Sequence, residues 1–327
     1  MRALLRRSRS LAVVGGLAAA LLSPAAATAA PVAAATAPAT ARATTAAPAT
    51  EVLAQIGSTG WRVKAIQRKV GVRATGRYDR ATAAAVRAWQ TKHDLKGTGR
   101  TDRATYRAMF PVTTTYRTGT QVIGYSLLGR PVRLRIVGDP KAATKVLVVG
   151  CLHGNECGGV PVVDALSRSA PPEGTAYYLL TFPNPDGRVA RTRGNARGVD
   201  LNRNFPGWRP NGRPGSVYYP GTKALSEPES RVVHRLMTRV RPQALITYHQ
   251  ALNVVDYGGG PEALQRTYAR SVGLRFGRLP RYPGSNATWA HATFPSMTVM
   301  TVELPRPVAA SALRRHTAAV RALATAL

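Results

Sequence analysis

The sequence predicts an α/β domain with a mixed, largely parallel sheet flanked by helices, preceded by a small three-helix domain. Three observations lead there. From about residue 116, apolar strand-like runs alternate with helix-like stretches, as in sheets whose parallel strands are joined by helical crossovers. Residues 51–110 instead carry an internal repeat, TGRYDRATAAAVRAW from Thr75 and TGRTDRATYRAMF from Thr98. Four of the later apolar runs also lead directly into polar residues, which an open parallel sheet would gather along one edge. With 327 residues the chain has room for one full-sized domain and a smaller one.

The N-terminus stands apart from both. MRALLRRSRS carries four arginines, LAVVGGLAAALL is a short apolar run, and Ala27-Thr28-Ala29 offers small residues for cleavage. That order predicts a secretory signal over 1–29, since the apolar run is too short to span a bilayer. Residues 30–50 are almost wholly Ala, Thr and Pro and read as a linker. The protein is therefore expected to be exported, to lie outside the cell or in the cell wall, and to have no membrane span. Its formal charge of +31 falls to +27 once the four signal arginines are set aside. So basic a chain invites a nucleic-acid reading, but it has no zinc-finger spacing, aromatic RNA-binding signature or basic helix with a dimer seam. For an exported protein, anionic envelope polymers are the more natural partners. An Arg-rich, Ala-rich genome would give the same bias.

In the front domain, each repeat has Thr-Gly-Arg, then Asp-Arg-Ala-Thr, then a helical apolar pattern. Gly76 and Gly99 suit turns, and Asp79 and Asp102 suit helix caps. Upstream, WRVKAIQRKV places Trp61, Ile66 and Val70 at helical spacing, with Val63 close by. These segments resemble the three-helix peptidoglycan-binding module of bacterial cell-wall hydrolases over nearly all of 56–109. Gln67, Gly76, Thr82, Val86 and Gln90 stand where that pattern expects them. The resemblance implies a wall-targeting domain over 51–110 without catalysis of its own.

The strands RLRIVG, KVLVVG, YYLLTF, QALITY and TVMTVE deliver the chemistry of the second domain. KVLVVG runs into His153 and Glu156, YYLLTF into the turn Asn184-Pro185-Asp186-Gly187, ALITY into His249, and VMTV into Glu303. Two His and one Glu make a common catalytic zinc shell with a position left open, and one zinc ion is expected. Such an ion acidifies water and polarises a carbonyl while a carboxylate takes the proton, for which Glu303 is the candidate. Singly, His249 could be a core histidine and Glu303 an arginine partner; jointly they favour a metal. TRGNARGVDLNRNFP adds Arg193, Asn202 and Arg203, whose forked donors suit an acidic chain end. Cys151 and Cys157, the chain's two cysteines, flank HGNE; an exported protein permits a disulfide, and geometry decides whether they join.

HGNE, NPDG, GVDLNRNFP, YHQ and TVEL follow the order of the zinc carboxypeptidases, the carboxypeptidase A-like metallopeptidases, over 116–327. The resemblance implies zinc ligands His153, Glu156 and His249, general base Glu303 and oxyanion-stabilising Arg193. It also implies a carboxylate grip from Asn202 and Arg203, and Asp200 orienting His153. YPGSNATW followed by TVELP is similar to murein peptide amidases, which cut γ-D-glutamyl–diaminopimelate bonds. Tyr282 or His291 would stand for the family's mobile-loop tyrosine, and side-chain preference would be set around Asn286 to Thr288. The expected partners are peptidoglycan or its peptides with a free carboxylate, and the expected state is a monomer. A general secreted carboxypeptidase would use identical machinery. A small-molecule deacylase lacks the NPDG turn and the wall module, and a non-catalytic wall-binding protein would have lost a ligand or the base.

Overall fold

The computed structural model describes residues 49–327, so the expected signal segment and most of the linker lie outside the described residues. The front domain runs β1 (Val52–Ala54), α1 (Trp61–Lys69), α2 (Arg80–Lys92), β2 (Thr101–Asp102) and α3 (Arg103–Met109). The three helices stand as expected. The short antiparallel pairing of β1 with β2 has no periodic signature in the sequence. Asp79 and Asp102 each accept the backbone N–H three residues on, at 2.7 Å in both cases, which satisfies an otherwise orphaned donor at the start of α2 and α3. Gly76 and Gly99 hold φ of +84° and +69°, a conformation that favours glycine. Val63, Ile66, Tyr78, Val86 and Met109 form the core. Trp61 opens α1, in keeping with its helical spacing, but stays outside this core at 38 % exposed.

The second domain continues with β3 (Gly119–Tyr125), β4 (Pro131–Val137), β5 (Thr144–Val149), α4 (Val160–Leu166), β6 (Thr175–Leu180) and α5 (Pro185–Ala190). After a one-turn 3-10 helix at Leu201–Arg203 come α6 (Pro228–Val240), β7 (Ala244–Gln250), β8 (Val254–Gly259), α7 (Glu262–Val272) and β9 (Arg275–Gly277). The chain closes with α8 (Asn286–Thr293), β10 (Thr298–Leu304) and α9 (Ala310–Ala326). The strands form one eight-stranded sheet in the order β3-β4-β6-β5-β7-β10-β8-β9. Its centre, β6-β5-β7-β10, is parallel, whereas β3, β4 and β8 join antiparallel. The sequence reading omitted β3, β8 and β9. These lie on or next to the sheet edges, where polar residues and glycine break the apolar runs.

Helices cover both faces, because alternate residues of a strand point to opposite sides. Leu147, Val149, Leu245 and Val299 meet α6 and α8 through Val232, Leu236 and Trp289. On the other face Val146, Val148, Ile246 and Met300 meet α4, α7 and α9 through Val162, Tyr268 and Val320. In-register pairing then sets the edge where the site forms: Glu303 on β10 lies opposite His249 on β7, and Val149 on β5 opposite Thr247.

Candidate metal centre

His153 and Glu156 lie on the loop that leaves β5 at the carboxyl edge of the sheet, and His249 is near the end of β7. The loop passes close to α5: a Cβ on Gly154 would sit 2.0 Å from the backbone of Gly187, so only glycine fits there. Cys151 and Cys157 are joined as a disulfide with Cα atoms 4.6 Å apart, closing the loop around the motif. His153 Nδ1 lies 2.9 Å from Glu156 Oε2, and His249 Nδ1 lies 3.0 Å from the same oxygen. The two ring nitrogens are 3.1 Å apart. All three residues are buried, and their ligand atoms form a group that could hold a metal ion.

The donor set fits zinc. On its far side, His153 donates from Nε2 to Asp200 Oδ1 at 2.9 Å. That bond places a proton on Nε2, so release of the Nδ1 proton shared with Glu156 would free the lone pair a metal ligand needs, facing Glu156 and His249. Burial, reinforced by the neighbouring charge of His153, pushes the pKa of His249 down to about 4, so its imidazole is neutral at neutral pH as a ligand must be. Burial alone would raise the pKa of Glu156. The hydrogen bonds from His153 and His249 hold it well below the usual carboxylate range instead. Two imidazoles and a carboxylate make a three-residue zinc shell with room for a fourth ligand.

Asp200 ties the site together. Besides His153 it accepts Arg193 Nε at 3.0 Å and the backbone N–H of Asn202 at 2.8 Å. Arg193 Nη1 also reaches Glu156 Oε1 at 2.7 Å, so this guanidinium stands beside the ligand group. A cavity of about 260 Å³ opens over the ligands and includes Arg193, Asn202, Arg203, Tyr282 and Glu303 in its wall. The Arg203 guanidinium stacks 4.2 Å from the ring centre of Tyr282 and 5.6 Å from that of Tyr218. Glu303 Oε2 is buried with no hydrogen-bond partner among the described residues. Burial, with the nearby Glu156 charge, pushes its pKa up to about 7, within the working range of a general base.

Several expectations need correction. Asn184-Pro185-Asp186-Gly187 is the start of α5 rather than a free turn. Asn184 caps that helix at Gly187, and Asp186 binds Arg130 at 2.6 Å. NPDG therefore braces the scaffold under the site. Of the two candidates for the loop tyrosine, Tyr282 lines the cavity; His291 is exposed and packs beside Gly259. In the 286–288 stretch, Asn286 points to Thr247 Oγ1 at 3.0 Å, whereas Ala287 and Thr288 line the cavity. Two further wall residues escaped the sequence reading. Asp256, on β8 opposite Thr301, accepts Arg281 Nη1 at 3.2 Å and the Leu279 N–H at 2.7 Å. An acid inside the apolar run VVDYGG was the signal available for it.

Comparisons with known proteins agree with a zinc centre. Residues 112–274 match the zinc carboxypeptidase family, and residues 60–109 match the peptidoglycan binding domain family. Murein peptide amidase A of Vibrio campbellii is 29 % identical over 239 residues, covering 66 % of this chain and 89 % of that protein. The Escherichia coli K12 protein of that name is 30 % identical over 152 residues, which cover 42 % of this chain and 62 % of the relative. Among solved structures, murein-tripeptide amidase MpaA from Escherichia coli O157 superposes with a TM-score of 0.52 at 26 % identity. That match covers 64 % of this chain and 93 % of the other. Carboxypeptidase A from Helicoverpa armigera shares the fold, with a TM-score of 0.54 at 20 % identity over 68 % of this chain and 71 % of that one. The chain carries a metallopeptidase domain of the zinc carboxypeptidase family, homologous to murein peptide amidase A, behind a peptidoglycan binding domain.

Proposed function

We propose that the protein is exported, acts as a monomer at the cell wall, and hydrolyses the γ-D-glutamyl–diaminopimelate amide bond of peptidoglycan stem peptides. The observation that carries the choice of substrate is the cavity wall beyond the ligand group. There a carboxylate, Asp256, and a guanidinium, Arg281, lie 3.2 Å apart. A terminal residue whose side chain ends in both an amino and a carboxylate group finds a partner for each. A plain aliphatic side chain would engage neither member of the pair and would cover it with apolar surface. The names of the similar proteins and the wall-type front domain support the same reading.

His153, Glu156 and His249 would hold zinc, which when bound supplies a Lewis acid and a water acidified toward neutral pH. Asn202 and Arg203 take the α-carboxylate of the terminal residue, with the Tyr218 and Tyr282 rings limiting the swing of Arg203. Glu303 removes the proton from the attacking water as it adds to the amide carbonyl. Arg193 keeps Nη1 on Glu156 and Nε on Asp200, which leaves Nη2 for the oxygen that gains charge. Glu303 then passes its proton to the departing amine, and the amide C–N bond breaks. Asp200 holds His153 and Arg193 in these positions throughout.

The test is incubation of the protein from residue 30 onward with L-Ala-γ-D-Glu-diaminopimelate, with products identified by mass spectrometry. Release of free diaminopimelate, lost on chelation and restored by zinc, supports the reading. Cleavage confined to ordinary C-terminal residues would overturn the wall substrate and leave a general metallocarboxypeptidase.

A further inference from the structure

A second cavity, of about 600 Å³, lies where the front domain meets the metallopeptidase domain, and both build its walls. Its size falls in the range of ligand-sized clefts. The front domain supplies Trp61, Arg62 and Tyr106; the metallopeptidase domain supplies Tyr125, Arg197, Arg231 and Arg235. No acidic side chain lines it among the described residues. Glu227 reaches Arg197 at 3.4 Å, whereas among the described residues Arg62, Arg231 and Arg235 form no ion pair and donate only to backbone carbonyls. Arg235 Nε is buried with no hydrogen-bond partner among the described residues. Arg231 and Arg235 are one helical turn apart on α6, so their like charges repel in the absence of an anion.

Aromatic packing fixes the cleft in shape. Phe110 of the front domain meets Tyr125 of β3 edge-on with ring centres 5.1 Å apart, and Tyr106 lies 4.7 Å from Phe110. A Cβ on Gly129 would press within 3.1 Å of Ala65, which shows how closely the two domains touch. Trp61, left exposed at the start of α1, is a second aromatic wall. The cleft floor is also tied to the metal centre. Arg197 sits on the same loop as Arg193, and between them Asn195 is pinned to Glu227 at 2.8 Å and Glu229 at 3.2 Å.

We propose that this junction is a binding site for an anionic amino-sugar glycan, with sugar rings against the aromatic walls and carboxylates on the unpaired arginines. The site belongs to neither domain alone. Its place along the 193–197 loop lets a glycan strand lie in the cleft while an attached peptide reaches the metal centre. The wall reading above enters only in choosing the glycan.

The experiment uses peptidoglycan glycan strands stripped of peptide, whose lactyl carboxylates are free and which carry no peptide bond for the metal centre. End-labelled strands are titrated with the protein from residue 30 onward and followed by fluorescence anisotropy. Saturable binding is expected, weakened by salt and by about tenfold in each of Arg62→Gln and Arg231→Gln. Arg62 contributes from the other domain, so it keeps the test decisive if Arg231→Gln, which loses bonds to the Leu225 and Ser226 carbonyls, fails to fold. Arg87→Gln, on α2 in a separate groove and not in the cleft lining, should bind as the parent does. Neutral chitin oligosaccharides should bind at least tenfold more weakly. Equal binding of chitin, or glycan binding indifferent to both cleft substitutions, overturns the proposal, as does tighter binding of a phosphodiester wall polymer. Hydrolysis of the free tripeptide by the same variants should be unchanged. If the parent protein fails to cleave the tripeptide, the catalytic reading falls while glycan binding is still scored on its own.

Discussion

Two buried polar clusters, one in each domain, are built on opposite plans. In the front domain Gln67 donates to Thr75, the Arg77 carbonyl and Thr82, each at 3.0 Å, and accepts the Gly76 N–H at 2.8 Å. Gln90 repeats this with Thr98, the Arg100 carbonyl, Thr105 and the Gly99 N–H. Every partner lies within 15 residues in sequence, and neither glutamine has an orphaned atom. The metal centre joins residues 96 positions apart, and among the described residues His249 Nε2 and Glu303 Oε2 have no partners. Leaving buried polar groups unpaired costs stability. Here part of the cost falls on Glu303, a carboxylate the chemistry needs, whereas the closed glutamine networks hold structure alone.

The comparison can be broken most sharply at Glu303. Glu303→Gln should lower kcat about a thousandfold, the range of a lost general base. Zinc content, measured by atomic absorption, and melting temperature should stay close to the parent's. Loss of zinc would show that Glu303 is a ligand instead. Activity in the parent should rise with pH as Glu303 ionises. A bound dication lowers its pKa from about 7, so the acid limb of kcat/KM should lie below pH 7.

Stability should respond elsewhere. Glu229 is buried beneath the 193–200 loop, where burial and the charge of Asp186 push its pKa up to about 7 against an ordinary 4.5. Below pH 4.5 the carboxyl is protonated in both folded and unfolded chains. As pH rises toward 7 only the unfolded chain releases its proton, so folding stability falls across that window, by on the order of 3 kcal/mol, and then levels. Glu229→Gln should flatten that slope in urea melts taken from pH 4 to 8; an unchanged slope would assign it to other groups.

The front-domain pair gives a smaller and more symmetric effect. Gln67→Ala and Gln90→Ala should each cost about 2 kcal/mol in the front domain, since each strands a glycine N–H and a carbonyl. Tripeptide hydrolysis should not change. Markedly unequal costs would mean that the two networks, though alike in geometry, bear unequal loads.

Local patterns were legible without coordinates. The repeat fixes the turns at Gly76 and Gly99 and the caps at Asp79 and Asp102, because capping and positive φ depend on neighbours a few residues away. The apolar runs located the central strands, and their ends pointed to His153, Glu156, His249 and Glu303. Tertiary structure decided what depends on distant pairing. The β10–β8 register brings Asp256 to the cavity wall, and Asp200 meets His153 across 47 residues. NPDG caps its own helix through Asn184 and Gly187, and tertiary packing decided what it meets: the loop carrying Gly154 on one side and Arg130, bound by Asp186, on the other. Trp61 follows the helical spacing of a core residue, yet it lines the domain junction at the start of α1. Periodicity records which side of an element is apolar, and only the packing of whole elements settles what that side meets.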